Sequence, residues 1–433
     1  MNELAKNLNA DLLNHNPHVY YLLSDLGKQL YYPKGILSQS AEASKKATRF
    51  NATIGIATEN NVPMHFDHIQ KTLPGYHPEE VYPYAPPPGK MELRKEWGKK
   101  LLKDNPSLHD KNFGIPITTN ALTHGLSIAA DLFVNEKDPI ILPDKYWGNY
   151  QSIFHVRCGG VLKTFELFDQ DGKFNVPAFR TCLLEQKQTG KAIVLLNFPN
   201  NPTGYTPYEE EVQGILSAIL EAAEAGINVV VILDDAYFGL FYDDCVKESL
   251  FGKLAGFHPR VLPVKIDGAT KENYVWGLRV GFLSFASESK EILDALEQKT
   301  KGLIRGTISS SSHLSQTIIM HSLQSSEFED EKQKKYGLMK KRAMKVKEIV
   351  SLDQYKEVWS YYPFNSGYFM CLRLLQVDAE KLRVHLLDEY GIGVVAINST
   401  DLRIAFSCVE EEDLEELFEL IYRGIKDLVE KEV

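Results

Sequence analysis

Short apolar runs alternate with longer amphipathic stretches between about residues 115 and 290. Four of the runs are apolar enough to be buried strands, at 139–142, 192–197, 229–235 and 280–286. Polar and turn-forming residues follow the first three runs, as in PDKYW and FPNNPTG. This alternation is typical of βα units around a mostly parallel sheet. Since such sheets bind ligands at the carboxyl ends of their strands, we expect the chemistry in these loops.

The pattern changes after about residue 325. Residues 325–350 are dense in charge, with apolar positions spaced as on one helix face, so we predict an exposed connecting helix. Its Lys and Arg residues leave a nucleic-acid contact as an alternative, but the interleaved acids favour a solvated helix face. Beyond it, a strand-like segment at 364–374, another at 402–407 and a helix at 414–429 predict a second, smaller α+β unit.

Charge and length narrow the function classes. The chain has 433 residues, with 48 Lys and Arg against 58 Asp and Glu, which gives a net charge of −10. Non-specific nucleic-acid binding depends on a basic surface, so this balance argues against nucleic acid as a partner. Small molecules are the expected ligands.

The cysteines and the apolar segments indicate a compartment. The five cysteines lie far apart, with no CxxC pair and no Cys/His cluster at metal-ligand spacing, which favours a reducing compartment and predicts no metal site. The first thirty residues lack the continuous apolar core of a signal peptide. The most apolar run, 229–233, is far too short for a membrane span. We therefore expect a cytoplasmic protein with no membrane contact.

Three segments contain residue types that could carry chemistry. They are NFPNNPTG at 197–204, DDAYFG at 234–239, and a segment at 267–282 in which Lys271 and Arg279 stand eight residues apart. Taken singly, each has a structural explanation. Asn, Pro and Gly form turns, an acid at a strand end often caps a helix, and most loop lysines are solvated.

In this order the segments resemble the class I and II aminotransferases of fold type I, most closely the aspartate aminotransferase branch. That family carries an N-P-T-G turn, a D-x-A-Y strand end, an S/T-K pair and an Arg eight residues later, here at 201–204, 234–237, 270–271 and 279. The resemblance covers about residues 50–430. It implies an α/β fold and the cofactor pyridoxal phosphate (PLP).

The resemblance also implies a domain organisation. A large PLP-binding domain with a mostly parallel seven-stranded sheet would span 61–324. A smaller α+β domain would span 325–433, and the amino-terminal segment 1–60 would contribute to it.

The catalytic roles follow from the resemblance. Lys271 would bind the cofactor as a Schiff base and then move the proton at the substrate Cα. Asp234 would pair with the pyridine nitrogen and keep it protonated, so that the ring accepts electrons. Tyr237 and Asn201 would hydrogen-bond the phenolic oxygen of the ring, and Asn201 would also contact the substrate.

Other residues would hold the rest of the cofactor. Thr123, Thr270 and Arg279 would bind its phosphate, aided by the amino terminus of the helix that begins near Thr123. Ala121 and Leu122 occupy the loop position where the family usually has a small Gly/Ser pair. Trp147, in PDKYWGNY, would lie over the pyridine ring and contact the substrate.

Substrate and partner contacts are implied in the same way. Arg403, in LRIAFS, would bind the substrate α-carboxylate bidentately. Arg305 stands 34 residues after Lys271, where aspartate-type enzymes place an Arg that binds the distal carboxylate from the partner subunit, although it could instead be solvated. Tyr84 would reach the neighbouring phosphate, and both residues imply a homodimer with active sites at the interface.

Two departures argue against copying aspartate specificity. Gly268 stands where many relatives have a phosphate-binding Ser, and Tyr150 where aspartate-type enzymes have a His behind the pyridine-binding acid. The expected activity is amino-group exchange between an L-amino acid and a 2-oxo acid, with aspartate, glutamate and aromatic amino acids as candidates.

Two alternatives remain. A PLP-dependent lyase, or another α-carbon enzyme, would use the same scaffold. A transcription regulator with an aminotransferase-like domain would need a basic DNA-binding segment, which the first 50 residues do not provide.

Overall fold

The computed structural model describes residues 1–15, 17–23, 25–29 and 36–432. Its amino-terminal part consists of four helices and three two-residue strands. They are α1 (Glu3–His15), α2 (Pro17–Leu22), α3 (Asp25–Gln29), α4 (Ile36–Lys46), β1 (Phe50–Asn51), β2 (Thr58–Glu59) and β3 (Val62–Pro63). No helix of these described residues combines the length and the apolar character that a membrane crossing requires.

A seven-stranded sheet forms the centre of the molecule. Its strands are β4 (Ile117–Asn120), β5 (Pro139–Pro143), β6 (Val161–Phe165), β7 (Lys191–Leu196), β8 (Asn228–Asp234), β9 (Val261–Gly268) and β10 (Val280–Phe285). They lie in the order β4-β10-β9-β8-β7-β5-β6, and β10 is the one strand of this sheet that runs in the opposite direction to the other six. The predicted α/β class is therefore confirmed. Four of the strands match the apolar runs to within one residue at each end.

Helices cover both faces of this sheet. They are α5 (Asp67–Thr72), α6 (Pro78–Val81), α7 (Met91–Asp104), α8 (Ala121–Phe133), α9 (Val176–Leu184), α10 (Glu209–Glu224), α11 (Leu250–Leu254), α12 (Ala269–Glu272), α13 (Lys290–Thr307) and α14 (His313–Gln324). Successive residues of β7 enter different clusters: Ile193 packs in one core cluster and Val194 in the other. Since side chains alternate along a strand, both faces of the sheet are buried.

The carboxyl-terminal part is a smaller α+β unit. It contains α15 (Phe328–Val350), β11 (Trp359–Tyr361), β12 (Phe369–Leu374), α16 (Ala379–Tyr390), β13 (Ile392–Gly393), β14 (Val395–Ala396), β15 (Asp401–Ala405) and α17 (Leu414–Glu432). Four of its strands form an antiparallel sheet in the order β11-β12-β15-β14. The predicted connecting helix is α15, and the apolar face of the final helix is buried, for example at Phe418 and Ile421.

Chain segments from both ends meet in this unit. β1 pairs in parallel with β13, and the Ala405 N–H donates to the Ala52 carbonyl at 2.9 Å. This pairing supports a contribution of the amino-terminal segment to the smaller unit. The domain bounds 1–60, 61–324 and 325–433 stay a prediction.

One turn connects the two units closely. The carbonyl of Gly204 accepts hydrogen bonds from the backbone N–H groups of Asn365 and Ser366, both at 2.9 Å. Gly204 has a φ of 76°, and a Cβ there would lie 2.1 Å from the Phe369 carbonyl oxygen. Only glycine fits this conformation and this approach, so the N-P-T-G turn packs directly against the start of β12.

Candidate active site

A cavity of about 270 Å³ opens where the carboxyl ends of β7 and β8 face the smaller unit. Eleven of its fifteen lining residues are ones that the sequence predicts for the site: Ala121, Leu122, Thr123, Trp147, Asn201, Asp234, Tyr237, Thr270, Lys271, Arg279 and Arg403. They come from six separate stretches of chain. The fold thus brings together residues up to 282 positions apart in sequence.

Asp234 ends β8 and is 3% exposed. The Tyr150 hydroxyl donates to its Oδ2 at 2.5 Å, and the Asn197 amide donates to its backbone carbonyl at 2.6 Å. Asp234 lines the cavity, and its Oδ1 is buried without a hydrogen-bond partner among the described residues. Burial raises the pKa of Asp234 to about 6, while the Tyr150 hydrogen bond and the charge of Lys271 oppose this increase.

Lys271 lies in α12, the short helix that follows β9 directly. Its Nζ is 5.3 Å from the centre of the Tyr237 ring, and the Tyr368 hydroxyl holds its backbone carbonyl at 2.9 Å. Desolvation lowers the pKa of Lys271 to about 8, and nearby Arg279 contributes in the same direction. At neutral pH the neutral, nucleophilic form of this amine is therefore far more populated than in an ordinary lysine, although the charged form still predominates.

Donors for an anion gather at the other end of the cavity. Thr123 is in the first turn of α8, so backbone N–H groups at the start of this helix point toward the same region. The buried hydroxyl of Thr270 has no hydrogen-bond partner among the described residues, and Arg279 lies beside it on the lining. A cation, a free hydroxyl and a helix amino terminus form a site for a phosphate-sized anion.

The backbone around this anion site is crowded. Ala121 has a φ of 62°, which is unusual for a residue with a Cβ, and it packs against Gly281. A Cβ on Gly268 would lie 2.7 Å from the Val280 carbonyl oxygen. This approach explains why a serine does not occur at position 268: its side chain would collide with the neighbouring strand.

Arg403 is buried and has no carboxylate partner in the part of the chain that the structure describes. It lies on β15, is 2% exposed, and packs its guanidinium 4.2 Å from the centre of the Phe369 ring. Nη1 donates to Asn201 Oδ1 at 3.0 Å and Nη2 to the Thr53 carbonyl at 2.9 Å. Its Nε has no partner, and within the described residues no Asp or Glu oxygen lies within 4 Å. Burial lowers the pKa of Arg403.

Two predicted residues do not line the cavity. Tyr84 is 94% exposed in the proline-rich loop before α7. Arg305 is exposed on the last turn of α13 and donates to the Ser309 hydroxyl. Both were assigned to the site of a neighbouring subunit, so their position on the surface of one chain agrees with that assignment without testing it.

Four lining residues were not predicted: Gly55, Asn197, Ala236 and Phe369. Asn197 and Ala236 lie inside the motifs that were singled out, so their spacing could have indicated them. Asn197 also accepts from the Asn201 N–H at 2.8 Å, which fixes the turn. Gly55 and Phe369 come from segments that resemble ordinary core, and the sequence gives no signal for them.

Comparisons with known proteins place the chain among enzymes of one family. The family model described as aminotransferase class I and II matches residues 67–421. The aspartate aminotransferase of Bacillus subtilis is 25% identical over 268 residues, 61% of this chain and 63% of the relative, so the chain spans slightly less than two thirds of that protein. A probable N-acetyl-LL-diaminopimelate aminotransferase of the same organism is 25% identical over 339 residues, 76% of this chain and 78% of the relative.

A solved structure resembles most of the chain. The aminotransferase of Anaerococcus prevotii superposes with a TM-score of 0.83 at 23% identity, covering 93% of this chain and 99% of that one. At this identity, the likeness establishes the shared fold.

Proposed function

Because the chain belongs to the class I and II aminotransferase family, we propose that it is a PLP-dependent aminotransferase that exchanges an amino group between an L-amino acid and a 2-oxo acid. The observation that carries this proposal is the buried Arg403, which has no carboxylate partner among the described residues and lines the same cavity as Lys271. A buried cation without a counter-ion is costly unless a ligand supplies the charge. The α-carboxylate of an amino acid is a ligand of this kind.

The free polar groups of the cavity fit PLP. The unpaired Oδ1 of Asp234 suits the protonated ring nitrogen, while Thr270, Arg279 and the start of α8 suit the phosphate. When bound, the cofactor supplies a carbonyl carbon that joins to amines and a ring that accepts electrons from the substrate Cα. Trp147 lines the cavity where it can pack against that ring.

Lys271 would perform two tasks at one atom. Its Nζ would hold the cofactor covalently, and as a free amine it would take the proton from the substrate Cα and return it during the exchange. A pKa of about 8 suits this work, because the amine is close to balance between its two protonation states.

Arg403 would orient the substrate. Its fork is already fixed by Asn201, the Thr53 carbonyl and the Phe369 ring, so little side-chain freedom is lost when a carboxylate binds. Bidentate binding would then present the substrate Cα to Lys271 in one orientation.

The assembly that we propose is a homodimer with active sites at the interface. Tyr82 and Tyr84 are 81% and 94% exposed, which is unusual for large aromatic side chains unless another chain covers them. Tyr84 would contact the phosphate end of the partner subunit's site, and Arg305 would bind a distal carboxylate there. All five cysteines are free, which fits the cytoplasmic location that we also propose.

A half-reaction tests the proposal. Loaded enzyme and one L-amino acid alone should convert stoichiometrically to the pyridoxamine form, seen as loss of the visible absorbance. Arg403→Ala should raise the apparent Kd of the amino acid at least a hundredfold, whereas Arg423→Ala, which removes an exposed Arg on α17, should leave it unchanged. Catalytic release of pyruvate and ammonia would instead identify a lyase and overturn the proposal.

The same assay tests substrate class. The half-reaction rates of aspartate, glutamate and phenylalanine are measured with wild type and with Arg305→Ala. A loss confined to aspartate and glutamate would support recognition of a distal carboxylate by Arg305. Rates in Arg305→Ala that match wild type for each of the three amino acids would remove Arg305 from the substrate site.

A further inference from the structure

Lys145 lies at a junction between three segments of the proposed site but outside the cavity itself. It follows β5, two residues before Trp147, and its side chain is 15% exposed. Its Nζ is 2.8 Å from Asp144 Oδ2 and 3.3 Å from Asp401 Oδ2. Its backbone carbonyl accepts a hydrogen bond from the Asn200 amide at 3.0 Å.

Two of the three partners of Lys145, Asn200 and Asp401, lie within two residues of a residue of the proposed site. Asn200 precedes Asn201, which holds the Arg403 guanidinium. Asp401 begins β15, two residues before Arg403, so both side chains project from the same face of that strand. Lys145 therefore connects the Trp147 loop, the N-P-T-G turn and the strand that carries Arg403.

Asp401 is built into the smaller unit as a rigid acceptor. It is 1% exposed and accepts from Tyr362 Oη at 3.0 Å, from Thr400 Oγ1 at 3.0 Å and from Asn398 Nδ2 at 2.9 Å. These contacts fix its carboxylate relative to β15, so an ion pair that positions the carboxylate also positions the strand. Burial opposes the charge of Lys145, but hydrogen bonding to Asp144 and the charge of Asp401 raise its pKa above the ordinary value.

We propose that Lys145 is a positioning residue: its ion pair with Asp401 sets the register of β15 against the Trp147 loop and thereby aligns Arg403 for the substrate carboxylate. This inference rests on the proposed carboxylate-binding role of Arg403. β15 is joined to the loops of the large sheet at two points, through Lys145–Asp401 and through Arg403–Asn201. Without the Lys145–Asp401 ion pair, the Arg403–Asn201 hydrogen bond alone connects β15 to these loops. Arg403 would then have to position the strand and bind the substrate at the same time.

The charges predict an asymmetry between the partners. Without Lys145, the carboxylates of Asp144 and Asp401 face each other with no cation between them, and repulsion pushes β15 outward. Without the Asp401 charge, Lys145 still has Asp144. We therefore expect Lys145→Met to be more damaging than Asp401→Asn, and Asp401→Asn to rescue Lys145→Met partly.

The test measures equilibrium binding rather than turnover. Succinate and 3-phenylpropionate are titrated by calorimetry into cofactor-loaded wild type, Lys145→Met, Lys145→Arg, Asp401→Asn, the Met/Asn double variant and Arg403→Ala. Lys145→Met should raise Kd at least tenfold, Lys145→Arg less than threefold, and the double variant should return to within threefold of Asp401→Asn. The matched control is Lys173→Met, which removes an exposed Lys from a surface ion pair with Glu210.

The different variants distinguish this inference from the proposed function. Equal binding by wild type and Arg403→Ala would refute the role of Arg403. Loss of binding in Arg403→Ala with less than a twofold change in Lys145→Met would overturn the positioning role alone. Lys145→Gln, which keeps a polar side chain and removes the charge, is assayed as well, so that an unfolded Met variant does not decide the outcome. An additive double variant would also contradict the inference, because it requires the two residues to act through one pair.

Discussion

The Tyr150 hydroxyl should control the ionisation of Asp234, and Tyr150→Phe tests this. The hydroxyl donates to Asp234 Oδ2 at 2.5 Å, and the residues are 1% and 3% exposed. A hydrogen bond to a charged group contributes about 1.5–3 kcal/mol, and 1.36 kcal/mol corresponds to a tenfold change in an acid dissociation constant. Removing it should raise the pKa of Asp234 from about 6 to roughly 7–8 in the cofactor-free chain.

The sign of the effect on cofactor binding follows from linkage. The ring nitrogen of the cofactor favours the ionised carboxylate, so binding lowers the pKa of Asp234 below its value in the free chain. The affinity gained from this contact is fully present above the free-chain pKa and is lost as the pH falls through it. Wild-type affinity should therefore decline below about pH 6, and that of Tyr150→Phe already below roughly pH 7–8.

The assay is the Kd of PLP for cofactor-free protein between pH 5 and 9, measured by equilibrium titration. Tyr146→Phe is the matched control, because its ring lies 6.4 Å from that of Tyr150 and its hydroxyl takes no part in the hydrogen bonds of Asp234. In Tyr146→Phe, the affinity for PLP should begin to decline at the same pH as in wild type. If the affinity of Tyr150→Phe also begins to decline at the wild-type pH, the hydrogen bond does not set the ionisation of Asp234 and the reasoning is wrong.

Four further outcomes follow from the site and its surroundings. The rate of PLP attachment to Lys271, trapped with borohydride, should rise with pH to a midpoint near 8, and a midpoint near 10.5 would contradict the lowered pKa. Gly281→Ala places a Cβ 2.6 Å from the Ala121 carbonyl carbon, so the Kd of PLP should rise at least tenfold, which corresponds to about 1.4 kcal/mol. Ala121→Gly removes the Cβ from a residue with a φ of 62°, so the free energy of unfolding in urea should rise by about 0.5–1 kcal/mol. Glu272→Gln removes the partner of two lysines and should lower the free energy of unfolding by about 3 kcal/mol in the same assay.

Apolar runs predicted four central strands because their residues are buried on both faces. β9 escaped this pattern, since it contains Pro263, Lys265 and Asp267. Lys265 is fully buried there because Asp235, directly after the neighbouring strand β8, and Asp267 on its own strand neutralise it. An ion pair between distant segments of the chain cannot be inferred from a local sequence pattern. The charged residues of β9 therefore make its sequence resemble that of a loop.

The sequence could indicate candidate site residues where chemistry dictates the residue type at fixed spacing. Asp234, Lys271 and Arg279 belong to short motifs, and the fold places all three around one cavity. Gly55 and Phe369 contribute shape rather than reactive groups, and many sequences could supply that shape. Which residues approach from distant segments depends on the packing of β12 and the amino-terminal segment, which the motifs do not encode.

The site groups are held in states that the fold alone does not favour. Desolvation lowers the pKa values of Lys271 and Arg403 and raises that of Asp234, so burial opposes the charged form of each. Such groups lower the stability of the free protein, and a ligand that completes their charges returns that free energy as binding. The proposed cofactor would complete Asp234 and Lys271, and the proposed substrate would complete Arg403. In a chain with a net charge of −10, the cavity thus gathers the cationic side chains of Lys271, Arg279 and Arg403, which would bind small anions. The role that we propose for Arg403 requires neutral partners such as Asn201, because a carboxylate of the protein in that place would compete with the substrate.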